Sequence, residues 1–201
     1  TRFNGANNVP FTGLTLNTNQ WTNFTIVRSG DSQTLYINGS SVTTKSGAGT
    51  SDFIFQRIGG YNVNGLISNV VAFNTALSAT EIETLYNNGS PLTSMSGYSS
   101  LQGWWKLDAS EVYDSSNTQW QIANNVLSDK AYSFNGTNNI EITQNSSIQT
   151  SNFSIGLWIK GYPQLDKTII ENGGANGFSI KTKHNDGTKV LINTGGINGL
   201  E

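Results

Sequence analysis

Apolar side chains recur at every second position through most of this chain, and the segments that carry them are short and bounded by Gly, Asn, Asp and Ser. Successive side chains of an extended strand point to opposite faces, so text of this kind folds as half-buried β-strands packed in sheets. Residues 24–28 and 34–38 flank Ser29-Gly30-Asp31-Ser32, and residues 178–183 and 189–193 flank Asn185-Asp186-Gly187. Gly, Asn and Asp accept the positive φ of a tight turn, so both pairs read as β-hairpins. Further strands are expected at 53–58, 65–73, 103–107, 131–134, 140–142 and 153–160. Their lengths and spacing imply an all-β chain folded as a two-sheet antiparallel jelly-roll sandwich. One segment has helical logic instead. Ser78-Ala79-Thr80-Glu81 is a capping box, Ile82 and Leu85-Tyr86 supply an apolar stripe, and residues 87–91 terminate it, which predicts one short helix over 79–86.

Composition narrows the functions open to such a sandwich. Only 12% of the 201 residues are charged, against about 25% in a typical soluble domain, and Asn, Ser, Thr and Gly take their place. A net charge of -2 offers no basic field to a phosphate backbone, so nucleic acid is excluded as a partner. There is no cysteine, which removes disulfides, thiolate metal sites and a Cys nucleophile together. No apolar run reaches the roughly 18 residues of a membrane span, so membrane insertion is not expected. The first residues lack the order of a signal peptide, and the text starts in mid-pattern, as in a fragment without its own signal. Residues 89–103 are Ser/Gly-rich and read as a linker. Residues 108–130 read as a long surface loop.

Two blocks of the chain resemble a known family. Asn19-Gln20-Trp21 through Arg28, Leu35-Tyr36-Ile37-Asn38-Gly39, Ile58-Gly59-Gly60-Tyr61, Asn64-Gly65-Leu66-Ile67 and Ala76-Leu77-Ser78 with Leu85-Tyr86 resemble the C-terminal half of laminin-G-like domains of the concanavalin A-like jelly-roll superfamily. Gly103-Trp104-Trp105-Lys106-Leu107-Asp108, Asp114-Ser115-Ser116, Ala131-Tyr132-Ser133-Phe134-Asn135-Gly136 and residues 153–160 resemble the N-terminal half. The halves stand in reversed order, as if cut out of phase from a tandem array. The resemblance implies a C-terminal half-domain over 1–90, a linker over 91–100 and an N-terminal half-domain over 101–199. Each half alone exposes an apolar face and strand edges, so the halves are expected to pack as one circularly permuted sandwich or to exchange between chains. A competing organisation, two shortened copies of one unit, rests on Phe3-Asn4-Gly5 against Phe134-Asn135-Gly136 and on Asn23-Phe24-Thr25-Ile26 against Asn152-Phe153-Ser154-Ile155.

The chemistry expected on this frame is binding. A glycosidase needs two carboxylates facing each other across the scissile bond. Glu81 and Glu83 fall on the helix instead, and Glu141 points away from the face shared by Ile140 and Ile142, so the chain is not expected to be an enzyme. The lone His184 stands in a turn without metal partners or a nucleophile. Calcium is the metal that the resemblance implies, yet the family's usual acidic positions read Asn135 and Ser68-Asn69. No cofactor and no metal ligand set is therefore expected, and only weak Ca2+ binding is left to Asp108, Asp114 and Asn117 in the long loop. Trp21 and Trp158 read as core. Tyr61, Asn64, Tyr113, Trp120 and Tyr162 lie in polar or Gly/Pro-rich text, where rings beside amides suit stacking on a sugar face, and they form the candidate ligand-binding set. The expected function is a non-catalytic carbohydrate-binding or adhesive module of a large repetitive extracellular, cell-surface or virion protein. A structural repeat that self-associates through its complementary halves is the alternative, and a glucanase-type enzyme is the remaining one.

Overall fold

A computed structural model describes residues 8–10, 20–47, 57–59, 64–107, 120–122, 127–128, 131–142, 151–161, 167–171, 178–183 and 186–194. The strands in chain order are β1 (Asn8–Pro10), β2 (Thr22–Ser29), β3 (Ser32–Ile37), β4 (Ser40–Ser46), β5 (Arg57–Ile58) and β6 (Asn64–Phe73). Helix α1 (Ala79–Tyr86) follows, and then β7 (Leu101–Trp105), β8 (Trp120–Ile122), β9 (Leu127–Ser128), β10 (Ala131–Asn135) and β11 (Ile140–Ile142). The last four are β12 (Phe153–Gly161), β13 (Thr168–Glu171), β14 (Phe178–Lys183) and β15 (Asp186–Thr194). They pair antiparallel in two sheets, ordered β1-β15-β14-β13-β5-β11-β8 and β4-β3-β2-β12-β6-β10-β9, with β7 alongside β6. The fold is a β-sandwich of the jelly-roll type with one short helix.

Both sheets draw strands from both ends of the chain. β12 lies between β2 and β6, with Phe153 opposite Arg28 on one side and Ile155 opposite Ala72 on the other. β5 lies between β11 and β13, where Ile58 faces Ile140 and Ile170. The inner faces close on Phe24, Ile26, Leu35, Ile67, Phe134, Ile155 and Leu157 from one sheet and on Ile58, Ile140, Ile170 and Ile180 from the other. Apolar burial of this kind is the main stabilising term of a sandwich.

Strand β6 breaks its alternation at one residue. Asn69 adopts φ 48°, and opposite it the register of β12 slips between Gly156 and Trp158. This bulge turns Ile67 and then Val70 and Ala72 inward, and β6 exchanges its neighbour from β10 to β7 across it. The Asn69 amide N–H donates to Lys106 O at 3.0 Å, and Trp104 Nε1 donates to Asn69 Oδ1 at 3.1 Å.

Helix α1 covers the outer face of the second sheet. Ser78 Oγ accepts from Glu81 N while the Glu81 carboxylate accepts from Ser78 N, the reciprocal cap read from the sequence, and Asn87 ends the helix in the left-handed region. Ile82 and Leu85 pack on Val27, Tyr36, Val71 and Phe73.

Four expectations need correction. Residues 108–130, expected as a long surface loop, carry β8 and β9, which pair with β11 and β10. Trp158 is buried, but it shares the outer face with Ser154 and Gly156 and stacks on Tyr86 of the helix; the inner face takes Phe153, Ile155, Leu157 and Ile159. Alternation shows which residues share a face and not which face looks inward. Trp21, expected in the core, stands just before β2 and is 38% exposed. In the last hairpin Asp186 pairs with Lys183 inside the ladder, so the connection is residues 184–185 and the Asp-Gly pair belongs to the strand.

Candidate functional site at the crossover rim

The residues between β5 and β6, between β10 and β11, and between β12 and β13 all join one sheet to the other. The registers place the strand ends that flank these joints at one end of the sandwich: Asn64 is opposite Asn135, Gly65 is opposite both Phe134 and Gly161, and Ile58 is opposite both Ile140 and Ile170. Antiparallel sandwiches gather loops at their ends in this way, and loops held on a rigid frame are where ligands are met.

The middle joint is fully described and is organised by amides. Asn135 Oδ1 accepts from Thr137 N at 2.9 Å, Thr137 Oγ1 at 2.9 Å and Asn138 N at 3.2 Å. Its local bonds shape the turn the way an Asx residue does. Asn138 is buried beneath it, where its Oδ1 accepts from Asn135 N at 2.9 Å and its Nδ2 donates to Ser133 O at 3.0 Å and Tyr132 Oη at 3.3 Å. Burial raises the Tyr132 phenol above its ordinary pKa, and the bond from Asn138 opposes that rise. Gly59 passes so close to the Phe134 ring that a Cβ there would collide with it, and its N–H donates to Ile169 O at 2.6 Å. Behind the rim Arg57 pairs with Glu141 at 3.3 Å on the exposed face of β5 and β11.

Of the five residues expected to bind ligand, Asn64 is exposed at the start of β6 and stands on this rim. Tyr61 and Tyr162 lie outside the described residues; in the chain Tyr61 precedes Asn64 by three positions, and Tyr162 directly follows Gly161. Trp120 opens β8 at the edge of the other sheet, where its backbone pairs with Ile142, apart from the Asn64 pairing. Tyr113, His184 and the calcium candidates Asp108, Asp114 and Asn117 also lie outside the described residues. Asn138 was not singled out by sequence. Its signal was the Asn135-Gly136-Thr137-Asn138 run, whose turn chemistry marks a fixed loop.

Three of the described carboxylates, and two of the amides at the family's acidic positions, hold local structure. Glu81 caps the helix, Asp31 Oδ2 accepts from Gly47 N at 3.0 Å, and Glu141 holds Arg57. Asn135 and Asn69, which stand where the resemblance would place acids, spend their side-chain oxygens on turn and indole donors. Among the described residues no group of three or more His, Asp or Glu side chains is placed to hold a metal ion. No helix among them is long and apolar enough to cross a membrane.

A family model described as the concanavalin A-like lectin/glucanases superfamily, of laminin-G type, matches residues 2–83. Residues 2–83 are similar to that superfamily. The match ends within α1, and the strands after it complete both sheets of the same sandwich. No curated protein matches the chain.

Proposed function

We propose that this protein is a non-catalytic carbohydrate-binding or adhesive module that takes its glycan at the crossover rim. The observation that carries the reading is the convergence of three sheet-to-sheet joints around the exposed Asn64 and the fixed Asn135–Asn138 turn. Amides offer a hydroxyl both a donor and an acceptor, which suits a neutral sugar, and a chain of net charge -2 has little attraction for polyanions. Tyr61 and Tyr162, close in the chain to rim residues, supply rings suited to stacking on a sugar face. Lectin-type folds are compatible with glycan ligands, and laminin-G-like domains are typically extracellular, in keeping with a module of a large surface or virion protein.

A glycan array probed with the wild-type chain and with Asn64→Ala, Tyr61→Ala and Tyr162→Ala tests this. Reproducible hits that weaken about tenfold or more in the rim variants are expected, a loss on the order of 1.4 kcal/mol. Silence across the array, or hits untouched by all three changes, contradicts it. A panel of β-glucans added to the same protein should show no turnover, and hydrolysis that disappears on changing one Asp or Glu would contradict the non-catalytic reading.

A further inference from the structure

The Ser/Gly-rich connection between α1 and β7 is docked rather than loose. Met95 is buried in the cluster formed by Val71, Phe73, Leu77, Ile82 and Leu85. The Tyr98 ring lies 5.3 Å from that of Phe73, and its hydroxyl donates to Glu81 O at 2.7 Å. Tyr98 N donates to Met95 O and Leu101 N to Tyr98 O, which folds the strap on itself. Asn74 N then donates to Ser100 O at 3.1 Å, and Thr75 Oγ1 bonds Ser100 Oγ at 2.9 Å. Apart from Val27 and Tyr36, which belong to the same cluster, these anchors lie in residues 71–85, the part of the chain just before the strap. The strap therefore sets Leu101 opposite Phe73 and Trp105 opposite Val70, delivering β7 onto β6 of the same chain.

That delivery matters because the two parts need each other and cannot tell one copy from another. β12 has β2 and β6 as its neighbours, β10 has β6, and β13 has β5, so residues 101–194 find these partners only in residues 22–73. A second copy offers the same residues in the same registers, and only the route of the connection distinguishes self from neighbour.

We propose that residues 90–100 are a clasp that commits the two parts of one chain to a single permuted sandwich, and that a chain with its clasp released completes itself with the next copy, head to tail. A docked strap holds the internal partner at an effective concentration above the roughly millimolar value of a flexible tether, so exchange is suppressed at ordinary protein concentration. Heterologous pairing of this kind does not close on two copies by necessity, and it builds chains of copies.

The test is to unfold and refold the full-length protein over a range of concentrations and to read its mass by size-exclusion chromatography with light scattering. Wild type is expected to return as a monomer of 21.7 kDa. Met95→Ser with Tyr98→Ala is expected to give a ladder of multiples whose share grows with concentration, at least about threefold above wild type at matched concentration. Tyr98→Phe keeps the ring on Phe73 and loses only the bond to Glu81 O, and its oligomer share should fall between the two. If the double variant does not refold, Tyr98→Phe alone decides, since an oligomer share equal to that of wild type overturns the clasp. A double variant that refolds as a monomer, or a wild type that forms the same ladder, overturns it equally.

Discussion

The rings of Tyr86 and Trp158 stack with centroids 5.7 Å apart and planes 23° from parallel, joining the last residue of α1 to the outer face of β12. The pair couples the helix that follows β6 to a strand more than seventy residues later in the chain, and so helps to lock β12 between β2 and β6. Truncating a buried aromatic costs about 3–5 kcal/mol, so Trp158→Ala should destabilise the fold by that order. A double-mutant cycle with Tyr86→Ala in urea unfolding should return a coupling of about 0.5–1.5 kcal/mol. Strictly additive losses would show that the rings touch without cooperating.

Gly39 and Gly30 separate backbone strain from contact. Both have φ values in the left-handed region, 78° and 57°, but a Cβ at Gly39 would stand 2.9 Å from Tyr86 Cδ1, whereas one at Gly30 meets nothing within 4 Å. Gly30→Ala should cost about 1 kcal/mol from backbone strain alone. Gly39→Ala should cost about 1–3 kcal/mol more, because the Tyr86 ring must also move. Equal losses in thermal unfolding would mean that α1 gives way freely at its C-terminal end.

Gln33 is fully buried on β3 opposite Arg28, and among the described residues neither the Oε1 nor the Nε2 of its amide has a hydrogen-bond partner. An orphaned buried polar group costs about 1–3 kcal/mol. Gln33→Met keeps the length of the side chain while removing the amide, and it should raise the free energy of unfolding by about 1 kcal/mol. A loss of similar size would show that the amide is bonded in solution.

Glu81 supplies the acid dependence of the helix. Hydrogen bonds from the Ser78 side chain and then from its backbone hold the carboxyl below its ordinary value of 4.5. A pKa depressed on folding means that the unfolded chain binds the proton more tightly. The contribution of Glu81 is therefore complete above pH 4.5 and is lost as pH falls through the lower folded value. Glu81→Gln should flatten this part of the melting-temperature profile and leave neutral pH nearly unchanged. The carboxylate is exposed, so the change is small. A variant profile parallel to wild type across the acid range would contradict the cap.

The elements whose cause is local were legible in the sequence. The capping box at Ser78 and Glu81, the turn at Ser29–Ser32 and the outward Glu141 stand where their residue chemistry requires. Features set by tertiary contact were not. The side taken by Trp158 depends on where α1 docks, the bulge at Asn69 on the exchange of β10 for β7, and the order of the strap on two isolated side chains, Met95 and Tyr98, in text that otherwise reads as linker. Of the described rim residues the sequence pointed to Asn64, and the others come together by sheet register. Asn138 acts from beneath the surface, where a polar residue in a turn gives no sign of its burial.

A disulfide test addresses the interleaving of the two parts most directly. Arg57 on β5 and Glu141 on β11 are Cα partners in the first sheet, and the chain has no cysteine of its own to compete. Directly opposed residues of antiparallel strands lie about 4.5–5.5 Å apart at Cα, within the span that a disulfide accepts. Arg57→Cys with Glu141→Cys, oxidised after folding, should form an intrachain bond seen as faster migration on a non-reducing gel at monomer mass. Absence of the bond, or a bond formed only between chains, would contradict a sandwich whose sheets are built from both ends of one chain.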